Sequence, residues 1–299
     1  MFKIKSDINP FALARRIKRP LILDGAMGSM LQQIGNKPEG SMWMSLLNLT
    51  HPDDVIKIHK DYISAGADII TTNTFRTNPI AIENYQNKID INNLVKQSVE
   101  HAIEAAKDLP IFIAGSNAPA EDCYQAKRKV SKKLLEANHK KHIELLMKYG
   151  SSFILNETQS HFDEIKIICN FCSSNKIPYV ISLFTDENLK LLSGESVNEI
   201  INYILDYSPL AISLNCIRQE TFVKYFNKSN FNFTWGTYLN CGKGEYTDDS
   251  ISSGVSPNKY KNIVKNILAK SPSFIGACCG STPEHIKKIK ELLDGKNNN

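Results

Sequence analysis

The feature that most constrains this chain is a regular alternation of short apolar runs with longer amphipathic stretches. Apolar runs occupy residues 20–25, 67–75, 110–118, 151–158, 178–185, 210–216, 233–240 and 274–280. Each is nearly continuous, as parallel strands buried on both faces require. Helical periodicity fills the intervals at 53–66, 92–107, 134–149, 161–174, 196–207, 220–227, 258–269 and 283–293. In the first of these, Val55, Ile56, His59, Tyr62 and Ile63 share one face, and Gly66 ends the pattern. Pro283 after Ser281-Thr282 is a favourable helix start. Evenly spaced strand–helix units of this number predict an α/β fold, a closed (β/α)8 TIM barrel. A doubly wound open sheet is the alternative, and it seldom shows such even spacing. No linker or second domain interrupts the pattern. The expectation is a single domain over residues 1–299 with its core at about 20–293, the first dozen residues and the tail 296–299 being peripheral.

A barrel of this kind carries its chemistry at the carboxyl ends of its strands. Polar residues collect there: Asp24-Gly25, Thr72-Asn73-Thr74, Gly115-Ser116-Asn117, Asn156-Glu157-Thr158, Asn215-Cys216 and Cys278-Cys279. Adjacent cysteines seldom pair with each other without strain, but both can ligate one soft metal ion. With Cys216, which ends the sixth apolar run, a whole strand being skipped between them, they form a three-thiolate set suited to zinc with its fourth position open, the mark of a catalytic site. The competing reading is that these are small apolar residues in a packed core. An all-thiolate zinc favours activating an added thiol for alkyl transfer over hydrolysis, since the thiolate is the nucleophilic form. Asp24 and Glu157 are suited to hold an ammonium group. Backbone amides and hydroxyls of Gly115-Ser116-Asn117 are suited to hold a carboxylate.

Other cysteines and histidines carry weaker signals. Cys169 and Cys172 have CxxC spacing on a predicted helix, and core packing is the favoured reading. Cys241 lies near the predicted mouth of the site and is read as a bystander. His139 and His142 are expected to be exposed on a lysine-rich helical face.

Composition excludes several classes. The net charge of +5 is mild, and Lys127-Arg128-Lys129 and Lys132-Lys133 lack the interleaved aromatics of a nucleic-acid platform. No apolar run approaches the roughly 20 residues that span a bilayer. The amino terminus has no signal-peptide core. An odd count of 7 cysteines argues against a disulfide framework and for a reducing, cytoplasmic compartment.

Taken together, Leu-Asp-Gly-Ala-Met-Gly-Ser (23–29), Ala-Gly-Ala-Asp-Ile-Ile-Thr-Thr-Asn-Thr-Phe (65–75), Asn-Glu-Thr (156–158), Leu-Asn-Cys (214–216) and Gly-Ala-Cys-Cys-Gly (276–280) resemble the zinc-dependent homocysteine S-methyltransferases. The resemblance runs from about Pro20 to Leu293. It implies a (β/α)8 barrel, a Zn2+ ion on Cys216, Cys278 and Cys279, and homocysteine held with the help of Asp24 and Glu157; Gly25, Ser116 and Asn215, at the same strand ends, are expected as further substrate contacts. It implies methionine formation with homocysteine and a small methyl donor as partners, and it is compatible with a homo-oligomer. Two departures stand out. Ala277 replaces a glycine of the family's last motif, and Arg76 stands where betaine-type members carry a tyrosine. The segments Ser41-Met42-Trp43, Gly194-Glu195 and 240–246 are similar to S-methylmethionine-type members. The expected donor is a sulfonium such as S-methylmethionine or a dimethylsulfoniopropionate-like compound. The alternatives are betaine, a corrinoid-partnered methionine synthase subunit, and a non-catalytic zinc- or thiol-binding barrel.

Overall fold

In the computed structural model, which describes residues 9–246, 248 and 250–296, the predicted strands form one parallel sheet. They are β1 (Leu21–Ile22), β2 (Ile69–Thr71), β3 (Phe112–Asn117), β4 (Phe153–Gln159), β5 (Tyr179–Leu183), β6 (Ala211–Asn215), β7 (Trp235–Leu239) and β8 (Phe274–Ala277). The sheet order is β1-β8-β7-β6-β5-β4-β3-β2. A parallel bridge between Leu23 and Ile69 joins the two ends, and the Asp68 amide donates to the Ile22 carbonyl at 2.7 Å. The sheet is therefore a barrel without an open edge, which leaves the strands no unpaired backbone to protect.

Helices α1 (Pro52–Ser64), α2 (Ile91–Ala105), α3 (Lys132–Tyr149), α4 (Phe162–Ser174), α5 (Val197–Leu205), α6 (Gln219–Lys228), α7 (Pro257–Ile267) and α8 (Pro283–Lys296) follow the strands in turn. Their starts are written in the sequence. Ser131, Ser196 and Ser256 each accept a hydrogen bond from a first-turn amide, and Ser196 with Glu199 completes a capping box. Between β1 and α1 the chain makes a long excursion through short helices at Met27–Gln33 and Leu47–Thr50. That excursion walls one side of the barrel mouth.

Of the first dozen residues expected to be peripheral, residues 1–8 lie outside the described residues, and those from Asn9 onward are not peripheral. Helix Pro10–Arg16, capped by the Asn9 side chain, seats Phe11 under the barrel. Phe11 is 1% exposed and packs with strand-start residues Leu21, Phe112, Phe153 and Phe274. Its ring stacks on Phe274 at 5.2 Å and meets Phe153 edge-on at 6.0 Å. One aromatic side chain thus closes the amino end, so that the carboxyl end alone stays open. At the other terminus α8 runs to Lys296, and residues 297–299 lie outside the described residues. Replacing Phe11 with Ala should cost about 3–5 kcal/mol of stability, the range for emptying an aromatic site. Urea denaturation would show it, and an unchanged midpoint would contradict the plug.

Candidate active site

The carboxyl end of the barrel opens into a cavity of about 750 Å³ lined by Asp24, Gly25, Ser116, Glu157, Cys216, Cys278 and Cys279, among others. The cysteines meet there because of strand register. Tyr238 of β7 pairs with Asn215 of β6 on one side and Gly276 of β8 on the other. The Cys216 amide then donates to the Tyr238 carbonyl at 3.0 Å, and the Cys278 amide donates to the Leu239 carbonyl at 2.9 Å. Cys216 takes a left-handed backbone, φ 54°, an unusual conformation for a side-chain-bearing residue and one that concentrates at functional sites. Gly280 is also left-handed, and a Cβ there would lie 2.5 Å from the Gly242 backbone. Only glycine lets the chain turn directly after the cysteine pair.

The three sulfurs lie within 4.8 Å of one another, and Cys216 Sγ is 3.4 Å from Cys279 Sγ. Tetrahedral zinc with Zn–S bonds of about 2.3 Å separates its sulfurs by about 3.8 Å, so the donor set fits that ion. The charges point the same way. Hydrogen bonds from Cys278 and Cys279, with one from Tyr124, draw the Cys216 thiol well below its ordinary range against the opposing effect of burial. Cys278 and Cys279 are pushed up by the same hydrogen bonds and by burial. The shifts favour the thiolate at Cys216 over its two neighbours, and a bound cation would favour the thiolate form of all three. Cys241 is buried with its thiol toward the Leu239 carbonyl, outside the cluster. Cys169 and Cys172 are buried core residues on α4.

Two acids face the cavity near the sulfurs. Asp24 is 2% exposed and accepts hydrogen bonds from the Thr71 amide (2.8 Å) and hydroxyl (2.9 Å). Burial raises it from 3.8 to about 8, the Thr71 bonds opposing and Glu157 adding. Glu157 accepts from the Ser116 hydroxyl, and burial raises it from 4.5 to about 7. Gly25 lines the cavity, and a Cβ on it would meet Ser281 Oγ at 2.6 Å and the Tyr62 ring at 2.7 Å.

The remaining predicted contacts are placed differently. Ser116 gives its hydroxyl to Glu157, and its amide donates to Thr72 Oγ1 at 3.1 Å. The Asn117 side chain is spent on Asn156 and His142. That segment therefore offers no free carboxylate cradle from these groups. Asn215 is fully buried and turned away from the cavity: its Oδ1 accepts from the Thr158 amide at 2.9 Å and Ser182 Oγ at 2.7 Å, and its Nδ2 donates to Thr158 Oγ1 at 2.9 Å. Thr158 is left-handed, φ 58°, so Asn215 clamps the bend that aims Glu157 inward. His139 and His142 are buried, not exposed. His139 Nε2 lies 2.7 Å from Glu164 Oε2, and His142 bridges Thr77 and Asn117 at 2.8 and 2.9 Å.

Sequence reasoning missed the segment 118–131, which straps across the mouth and brings Cys123 and Tyr124 to the cavity wall. Tyr124 Oη lies 3.2 Å from Cys216 Sγ. Arg76 explains the strap: its Nη1 donates to the Glu121 carbonyl at 2.6 Å. A residue pair in an irregular loop carries no periodicity, so only the position after β3 could have drawn attention to it.

A family model described as homocysteine S-methyltransferase matches residues 21–293. The chain belongs to the homocysteine S-methyltransferase family. Crystal structures of the homocysteine methyltransferase MmuM from Escherichia coli share its fold. The metallated form aligns at TM-score 0.79 and 21% identity over 94% of this chain and 99% of that one. The oxidized form gives 0.78 and 22% over 95% and 99%, and the apo form 0.71 and 20% over 95% and 99%. Among the described residues no helix is long and apolar enough to cross a membrane.

The raised acids make a signed prediction. Between its ordinary value of 3.8 and about 8, Asp24 holds its proton in the folded state and loses it in the unfolded one. The unfolded chain binds fewer protons across that window, so stability of the metal-free protein falls as pH rises through it. Urea denaturation across the window should show that decline, shallower in Asp24→Asn. An identical slope in the variant would contradict the assignment.

Proposed function

We propose that this chain transfers a methyl group from a sulfonium donor to the sulfur of homocysteine. The products are methionine and the donor's neutral thioether. The observation that carries the reading is the meeting, in one cavity, of three sulfurs within 4.8 Å of one another with two acids, Asp24 buried and Glu157 half-buried. Cys216, Cys278 and Cys279 would hold zinc. When bound, zinc supplies a Lewis acid that makes an added thiol ionise near neutrality while leaving it nucleophilic.

The chain's own groups do the rest. Asp24 and Glu157 receive the ammonium group of homocysteine. A cation between them favours their charged forms and brings both back down from their raised values. Binding therefore releases protons, and affinity rises as pH climbs through about 7 to about 8. Thr71, Ser116 and, through Thr158, Asn215 fix the two carboxylates, so little ordering remains to be done when substrate arrives. Trp43, Phe75, Tyr124 and Tyr246 line the outer cavity. Their ring faces suit a methylated cation, which is attracted to aromatic π-systems. A sulfonium fits the displacement because its thioether leaves as a neutral molecule. Arg76, where betaine-type relatives carry tyrosine, is turned to the strap at 118–131.

Zinc-loaded protein given homocysteine with S-methylmethionine, dimethylsulfoniopropionate or betaine in separate reactions should yield methionine with a sulfonium, and Cys278→Ala should abolish it. No methionine from any of the three would overturn the stand-alone enzyme and leave a corrinoid partner or a non-catalytic thiol-binding role.

A further inference from the structure

An alkylating substrate beside a cluster of cysteines poses a problem of selectivity. The donor's methyl group can be taken by the substrate sulfur or by the protein's own, and a methylated cysteine would disable the site. The hydrogen bonds around the cluster are not evenly shared. Tyr124 Oη is 3.2 Å from Cys216 Sγ, and Asn240 Nδ2 is 3.6 Å from the same atom. Among the described residues, the side-chain O–H and N–H contacts to the three sulfurs fall on Cys216. A hydrogen-bonded thiolate has a lone pair occupied and part of its charge withdrawn, and nucleophilicity falls as a sulfur's basicity falls.

Both donors are held in place. The Tyr124 ring stacks on Tyr246 at 5.0 Å and 29°, and meets Phe184 edge-on at 5.0 Å. The strap that carries it is pinned by Arg76 at Glu121 and by Glu164, which accepts from the Ala120 amide at 3.0 Å. Asn240 Oδ1 accepts from the Gly242 amide at 2.6 Å, which orients Nδ2 toward the sulfur. We infer that Tyr124 and Asn240 are positioning residues that damp the nucleophilicity of Cys216 relative to Cys278 and Cys279, so that this ligand does not compete with the substrate sulfur for the methyl group. The purpose of the device rests on the methyl-transfer reading above; its existence does not, because the protein's own sulfurs can be interrogated without substrate.

The probe is iodoacetamide on zinc-loaded protein, with labelled peptides quantified by mass spectrometry. Each event forms one S–C bond and expels iodide. Tyr124→Phe keeps the ring and removes only the hydroxyl. It should raise the rate of labelling at Cys216, relative to Cys278 in the same molecule, by about tenfold, the scale of one hydrogen bond to a charged group. Asn240→Asp removes the second donor, keeps the oxygen that accepts from Gly242, and repeats the test should the first variant not fold. In cobalt-loaded Tyr124→Phe the thiolate-to-metal charge-transfer band should move to lower energy. A general loosening of the site would accelerate both sulfurs together. An unchanged ratio of Cys216 to Cys278 labelling in the variants therefore overturns the proposal.

Discussion

Everything at the open end of the barrel hangs on the register that sets β6, β7 and β8 side by side. Because Tyr238 is flanked by Asn215 and Gly276, the residues just beyond those two strands are brought to the same height on either side of β7. Cysteines far apart in sequence become neighbours without any covalent link between them. A slip of one residue in either pairing would turn the cysteine side chains to the other face of the sheet. Such a slip is opposed on all sides, since the barrel is closed through Leu23 and Ile69 and its amino end is filled by Phe11.

A second constraint lies behind the site. Glu164 is buried and accepts from His139, from the Ala120 amide and from Arg128, which also pairs with Asp163. Although burial opposes it, hydrogen bonding to His139 and the charge of Arg128 hold Glu164 at about 2. Burial lowers His142 to about 3, so it sits neutral between Thr77 and Asn117. Replacing one partner of such a network strands a buried charge, whereas an apolar core of the same shape need not be weaker. The network's value is positional: it fixes the ends of β3 and β4, where Ser116 and Glu157 stand, and the start of the strap that carries Tyr124.

The architecture was legible because each strand is buried on both faces and so reads as a continuous apolar run, and because the helices keep one wet face. The cysteine cluster was legible for a different reason: soft-metal chemistry would need those side chains, and the strand ends told where they would meet. Other residues escaped because their roles are set by partners distant in sequence. His139 and His142 stand among lysines on α3, yet the acid, amide and hydroxyl that meet them come from α4, β3 and the loop after β2. Ser116 and Asn215 share strand ends with site residues, but each spends its hydrogen bonds on a neighbour. Phe11 precedes any periodic pattern, so nothing local signals that it closes the barrel.

The central claim is that Cys216, Cys278 and Cys279 form a zinc site that gains the substrate sulfur. Zinc X-ray absorption on the loaded protein, with and without homocysteine, tests it most directly. The account predicts three sulfur neighbours and one lighter atom at rest, and a fourth sulfur after homocysteine is added. A shell that holds four sulfurs before substrate, or that does not change when substrate binds, would contradict it.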